Sequence, residues 1–575
     1  MTPADGPPNP DRRPAPDLPS DPNRRSGSTR LPGPDGPSGP DLPPGGGSAG
    51  GGAADCSPVW AALPPGAALA GGVDGSAALE PLVAVVLAAL REGAERRGGP
   101  LPAGGPDAVA AGLAPLLAPG VLLPETGDPQ ALRLLTDALA ATAADPADPG
   151  CAAHLHVPPL AVAAAADLAA SAVNASLDSW DQAPGSTSVE LAVLRVLAGL
   201  VGFDRPEAAA GVLTSGGTES NLMGLLLARD AYARSDFGRL TVHCSAAAHF
   251  SIARAAAVLG LAADAVVPVD TAPDGRMDPR LLDWSLSDTR AAGRTPCCVV
   301  ATAGTTDLGA IDPLPAVAAV AARHGVPLHV DAAYGGGALF SRRLAPLLDG
   351  LGRADTVGLD LHKFGWQPVA AGVLLARDAA LLAPLEQRVA YLNPEDDEDA
   401  GYTSLLGRSL RTTRRADAFK IAVTLRTLGR DGLGALVDRC HDLAVEAAAR
   451  IAAEPALELT ADPVLSTVLF RYLPAHADPH ANADPDRVNS ELRRLLLAEG
   501  RAVVGRTGYG TGPGSVRLKL TLLNPHTTPA DLDRLLGLVL DAGARTERSA
   551  ADTANAEDTA NAEDTASAED QETNT

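Results

Sequence analysis

The amino-acid sequence predicts an α/β protein: a large domain on a mostly parallel, helix-covered sheet, followed by a smaller α+β domain. Three observations carry this expectation. Short apolar runs alternate with helical segments from about residue 185 to 376. The runs are apolar throughout, as in strands buried beneath helices. After about 405 the alternation gives way to one long helical stretch and a few separated strands.

The elements follow in order. Residues 76–170 read mostly as Ala/Leu-rich helices broken by Pro and Gly. A short strand at 212–214 leads into a helix over 218–233, and a strand at 240–244 into a helix over 249–259. Strand 297–301, helix 314–323 and strand 326–330 come next, then strands at 356–359 and 373–376. The smaller domain has a long helix over 412–428 and strands near 464–472 and 516–522. The expected divisions are a Pro/Gly-rich leader (1–55), an N-terminal helical segment (56–170), the large domain (171–404), the small domain (405–545) and an acidic tail (546–575).

Composition limits what the chain can be. It has 575 residues, of which 46% are hydrophobic and 3% aromatic, with a net charge of −24. That is enough apolar material for two or three packed domains, and the wrong sign for nonspecific nucleic-acid binding. The leader has almost no large apolar residues to offset ordering entropy and reads as disordered. The tail repeats a six-residue unit at Thr553–Asp558 and Thr559–Asp564, a period that fits neither a heptad nor a solenoid. Six scattered cysteines suit neither a zinc site nor a disulfide scaffold, so reduced thiols in a cytoplasmic protein are expected. The N-terminus lacks a signal peptide's apolar core, and no uncharged, Pro-free stretch of about 18 apolar residues reads as a membrane span.

Four segments carry chemistry. Asp360-Leu361-His362-Lys363-Phe364 follows a short apolar strand, placing a lysine at the carboxyl edge of a parallel sheet, where ligands bind in this architecture. Pyridoxal phosphate (PLP) chemistry needs one such lysine to carry the cofactor. His329-Val330-Asp331-Ala332-Ala333-Tyr334 ends a buried strand on a carboxylate. A carboxylate there needs a partner, and a protonated pyridine nitrogen would serve. Thr214-Ser215-Gly216-Gly217-Thr218-Glu219-Ser220-Asn221 is a Gly-rich turn between strand and helix, suited to a phosphate. His249-Phe250-Ser251 opens a helix after a strand, where an imidazole could stack on the pyridine. Each signal is modest alone. Their order, phosphate turn, His, Asp, Lys, is specific.

That order and the surrounding residues resemble the group II PLP-dependent decarboxylases, a family that includes aromatic amino acid, glutamate, histidine and 2,4-diaminobutyrate decarboxylases. The likeness covers about residues 75–540 and extends to Asp178-Ser179-Trp180, Ala303-Gly304-Thr305-Thr306 and Asn524-Pro525. It implies the PLP-dependent transferase fold type I (aspartate aminotransferase-like) and a homodimer with active sites near the subunit interface. It implies that Lys363 carries the cofactor as a Schiff base, Asp331 pairs with the ring nitrogen, and His249 and Ala333 flank the ring. Gly217, Thr218 and His362 would contact the phosphate, with Thr305 or Thr306 near the ring substituents. Two departures stand out: Asp360 where aromatic amino acid decarboxylases carry Asn, and Gly216-Gly217-Thr218 in place of a Ser-containing turn.

The resemblance also bears on reaction and substrate. Tyr391 opens a long polar stretch, Glu395–Asp399 included, that reads as a mobile loop. In related decarboxylases a loop tyrosine protonates Cα, and the resemblance gives Tyr391 that role. The segments 362–368 and 408–415 look most like those of bacterial diaminobutyrate decarboxylases, and the acidic loop could attract a cationic substrate. L-2,4-Diaminobutyrate is therefore the favoured substrate, then lysine or ornithine, with an aromatic amino acid such as tyrosine as the alternative. An aminotransferase is the different-reaction alternative, with Arg517 in the region where such an enzyme would hold the substrate carboxylate.

Overall fold

The computed structural model describes residues 66–386, 388–474, 484–510 and 512–549. The leader expected over 1–55 lies outside them, as does the chain from 550 onward. The boundary expected at 546 is corrected. A helix over 529–549 runs through it, because Thr546 and Glu547 are buried and Glu547 accepts a hydrogen bond from the Tyr472 hydroxyl at 3.1 Å.

Seven strands form the large sheet: β1 (Ala210–Thr214), β2 (Leu240–Ser245), β3 (Val266–Val269), β4 (Thr295–Thr302), β5 (Leu328–Ala332), β6 (Thr356–Asp360) and β7 (Gly372–Ala376). Their spatial order is β1-β7-β6-β5-β4-β2-β3. The pairs from β6 through β5, β4 and β2 to β3 are parallel, whereas β7 runs against both its neighbours. Parallel strands carry helices on both faces, which is why β5 and β6 are buried along their whole length. The register lines up the strand ends that matter. Thr302 of β4 lies beside Asp331 of β5, and Gly372 lies between Thr214 of β1 and Asp360 of β6.

The small sheet is antiparallel, in the order β10-β11-β9-β8, with β8 (Leu457–Leu459), β9 (Thr467–Tyr472), β10 (Gly505–Gly508) and β11 (Val516–Thr521). Its core is made by Leu443, Ile451, Phe470, Leu492, Leu520 and Val539. The helix expected over 412–428 is Ala418–Ala453, broken at Gly429, whose φ of 64° only glycine adopts readily. It starts late because 414–415 are used otherwise. The Leu177 amide donates to Arg414 O at 2.9 Å, and Ser176 bridges Arg415.

Helices Gly75–Arg97 and Ala131–Thr142 pack on each other at the N-terminal end. One helix among the described residues, Pro184–Val201, is long and apolar enough to cross a membrane by length and composition. Its Glu190 is buried in an ion pair with Arg414 at 2.8 Å, and its Val193, Leu194 and Leu197 share a core with Val299 of β4.

Candidate active site

β6 ends at Asp360 and the chain turns at once. The Lys363 amide donates to Asp360 O at 3.2 Å, and the Gly365 amide to Lys363 O at 2.8 Å. The turn presents Lys363 at the carboxyl edge of the sheet. Phe364 and Trp366, both fully buried, anchor it, and Trp366 Nε1 donates to Leu523 O at 2.9 Å. Gly337 leaves the room, since a Cβ there would sit 2.1 Å from Phe364 Cβ. Lys363 Nζ lies 2.9 Å from Asp360 Oδ2, and His362 Nε2 lies 3.5 Å from the same oxygen. His362 Nδ1 accepts from the Ala371 amide at 3.3 Å, and burial lowers the pKa of this ring, opposed by Asp360.

The Gly-rich turn lies directly on this group. Gly216 has φ 154° and ψ −178°, and a Cβ there would come 3.1 Å from His362 Cε1. A Cβ on Gly217 would sit 2.8 Å from Ala333 Cβ and 3.2 Å from Asp360 Oδ2. Helix Gly217–Arg229 starts here, so its first amides have no partner within the helix and its positive end faces outward. Glu219 reaches back to accept from the Ser215 amide at 2.6 Å and is held by Arg411 at 3.0 Å. Arg411 also donates to Leu213 O at 3.1 Å, so the turn is strapped on its outer side.

Asp331 closes β5. Its Oδ1 accepts from the Ala333 amide at 3.1 Å and its Oδ2 from Asn221 Nδ2 at 2.7 Å. These two donors occupy both carboxylate oxygens. His249 precedes helix Ser251–Val258, with Nδ1 2.8 Å from Ser251 Oγ. Burial lowers its pKa, and Asp331 opposes the shift. Thr305 is buried, its Oγ1 accepting from the Ala310 amide at 3.0 Å.

One cleft of about 490 Å³ brings these groups together. Gly217, Thr218, His362 and Lys363 line it, and so do His249, Thr305, Asp331 and Ala333. Tyr391 does not line it. Its side chain is 81% exposed, and the acidic stretch after it forms a short helix, Glu395–Asp399, with Arg388 2.8 Å from Glu395. The expected mobile loop is thus partly helical and lies outside the cleft of its own chain. Arg517 is absent from the cleft too, donating instead to Thr460 Oγ1 at 3.1 Å. Asn221, Ser251 and His329 stand inside the motifs quoted above without being candidate site residues on sequence grounds. Contacts between distant segments join them to Asp331 and His249.

The cleft fits PLP. It offers a lysine amine, a carboxylate fixed by two donors, and a glycine turn at a helix start with the exposed hydroxyl of Thr218. Thr302 Oγ1 and Asp360 Oδ1 are buried without a protein partner, and both residues line the cleft. A mostly parallel sheet bearing these groups at its carboxyl edge defines a PLP-dependent enzyme of fold type I.

A family model described as the pyridoxal-dependent decarboxylase conserved domain matches residues 135–473. An L-2,4-diaminobutyrate decarboxylase of Rhizobium meliloti (strain 1021) is 45% identical over 399 residues, 69% of this chain and 79% of that protein. Another, from Acinetobacter baumannii, is 35% identical over 423 residues, 70% of this chain and 81% of that protein. Among solved structures, the glutamate decarboxylase domain of diaminobutyrate-pyruvate transaminase and L-2,4-diaminobutyrate decarboxylase from Vibrio parahaemolyticus is 32% identical. It superposes with a TM-score of 0.71 over 83% of this chain and 98% of that one. The chain belongs to the pyridoxal-dependent decarboxylase family. It is a carboxy-lyase that uses PLP to decarboxylate an amino acid.

Proposed function

We propose that the chain converts L-2,4-diaminobutyrate to 1,3-diaminopropane and CO2. The observation that carries this reading is the 45% identity to the Rhizobium meliloti decarboxylase across most of both chains. Bound PLP supplies an electron sink for the pair left behind when CO2 departs. Lys363 would anchor the cofactor through its side-chain amine. Asp331 would pair with the ring nitrogen, His249 and Ala333 would hold the ring, and Thr305 would lie near its substituents. Gly217, Thr218 and His362 would hold the phosphate.

Tyr391 then delivers a proton to Cα. Its exposed position requires the segment to move, or to act on the cleft of a second copy. Tyr402 lies on the same segment, its ring 5.0 Å from that of Trp180. Comparing Tyr391→Phe with Tyr402→Phe tests the assignment. The first is expected to keep the cofactor's absorbance but lose amine production, and full turnover in it removes Tyr391 from the role.

The chain is further read as a cytoplasmic homodimer. Cys151, Cys244, Cys297, Cys298 and Cys440 are free thiols, and the N-terminal helix pair leaves Leu82, Leu87, Leu90, Leu132, Leu135 and Leu139 exposed. The substrate is tested with purified, PLP-loaded enzyme offered diaminobutyrate, lysine, ornithine, glutamate, tyrosine and tryptophan. Diaminobutyrate is expected to give the highest kcat/KM for CO2 release. A preference for tyrosine or tryptophan replaces it with the aromatic reading.

A further inference from the structure

From Asn221 in the cleft wall, a chain of buried polar groups joins Asp331 to His249. Asn221, on helix Gly217–Arg229, donates from Nδ2 to Asp331 Oδ2 at 2.7 Å and to Ser251 Oγ at 2.9 Å. Its Oδ1 lies 2.9 Å from His329 Nε2. His329 Nδ1 in turn lies 2.9 Å from Thr356 Oγ1, and Ser251 Oγ lies 2.8 Å from His249 Nδ1. Asn221, Ser251 and His329 are at most 1% exposed.

The chemistry of these groups fixes the direction of every bond. A carboxylate only accepts, so the amide nitrogen of Asn221, not its oxygen, faces Asp331. Both amide hydrogens are then committed, one to Asp331 and one to Ser251. The Asn221 oxygen must receive from His329, which therefore carries its proton on Nε2 and accepts from Thr356 at Nδ1. Burial lowers the pKa of His329 to about 4, so the ring is neutral, as this pattern demands. The Ser251 amide donates to His249 Nδ1 at 3.3 Å, so that nitrogen is an acceptor, and the Ser251 hydroxyl gives its hydrogen to the same nitrogen. His249 is left with its proton on Nε2.

We propose that Asn221 is a positioning residue that sets two groups of the cleft at once: it fixes the orientation of Asp331 and, through Ser251, holds His249 as the neutral Nε2–H tautomer. The proposal rests on the placing of Asp331 at the cofactor's ring nitrogen and His249 on the ring's face. A neutral imidazole matters there, because a cationic one would repel the protonated ring that Asp331 maintains. The packing is shaped around this chain of bonds. Gly224 faces His329, and a Cβ on it would sit 2.6 Å from the His329 Nδ1.

The test is ¹⁵N NMR of the full-length chain labelled at histidine, with and without PLP, using His249→Gln and His329→Gln to assign the signals. Both rings are expected as Nε2–H tautomers. Ser251→Ala should turn His249 into a tautomer mixture and leave the His329 signal in place. Asn221→Leu, with wild-type circular dichroism, should bind PLP at least about tenfold more weakly, the size of one lost hydrogen bond to a charge. It should also shift the pH profile of the bound cofactor's absorbance. His249 protonated on Nδ1 in the wild type overturns the proposal whether or not the Asn221 variant folds. So does an Asn221→Leu protein with unchanged PLP affinity and pH profile. Asp331→Ala separates the two levels. If it binds PLP as tightly as wild type, the placing of Asp331 at the ring fails, independently of the histidine tautomers.

Discussion

Lys363 is held by the carboxylate three residues before it. Asp360 is 3% exposed, and its Oδ2 takes Lys363 at 2.9 Å while its Oδ1 finds no protein donor. Removing the ammonium leaves a buried charge with little compensation, and that costs more than the pair itself contributes. Lys363→Ala should therefore lower the stability of the cofactor-free chain by about 2–3 kcal/mol in urea denaturation. Asp360→Asn in the same background should recover most of that loss. A Lys363→Ala apoprotein as stable as wild type would show that the pair carries no weight. Residues were legible in the sequence where one local motif declares them. Lys363, Asp331 and the Gly216-Gly217 turn each sit at a strand end with their signal in the neighbouring residues. Asn221 had no such signal, because its partner Asp331 is 110 positions away and only the fold joins them.

At the scale of elements, helix Gly217–Arg229 shows how packing overrides propensity. Ala at position 224 would favour the helix by about 1 kcal/mol over Gly. Its Cβ would instead press on His329 of β5, which is fixed on both sides by Thr356 and Asn221. Overpacking of this kind costs about 1–3 kcal/mol. Gly224→Ala is expected to lower the thermal midpoint and loosen PLP binding; a stabilised variant would mean that His329 moves aside freely. The same competition explains which elements could be read. β5 and β6 are unbroken apolar runs, so local pattern and burial agree. β3 was missed because it is an edge strand interrupted by Pro268, tolerable only where a ladder bond is not needed. Helices Pro279–Ala291 and Pro485–Ala498 are absent from the expected elements, and both open on Asp-Pro. Here it is a start signal: Asp278 and Asp484 accept from the amides two residues on, and Pro takes the first helical position.

Over the whole molecule, the low aromatic content leaves the core to Ala, Val and Leu, and a few buried polar groups set how stability responds to acid. His243 is buried between Thr241 and Ser285, and burial lowers its pKa to about 4, as it does for His329. Unfolded, each would titrate near about 6.5. Between those values the unfolded chain binds more protons, so both histidines withdraw stability as the pH falls from about 6.5 to 4, and no more below that. Asp312 acts the other way. Burial raises its pKa to about 6, so the folded chain takes up its proton first and gains stability over nearly the same window. His154, His156, His249 and His362, whose pKa values burial also lowers, withdraw stability in the same direction, so the losses outnumber the single gain and stability falls as the pH drops from about 6 toward 4. Asp167 and Asp283, whose pKa values are lowered by their Arg, Lys and His partners, lose their contribution only below about 3.8 and do not confuse the window. Urea denaturation of the apoprotein at half-unit steps should show stability falling through this range. His243→Gln should flatten the curve by about one proton's slope, without touching the cleft. An unchanged slope in that variant would mean that His243 is already protonated in the folded chain, with Thr241 and Ser285 accommodating the charge.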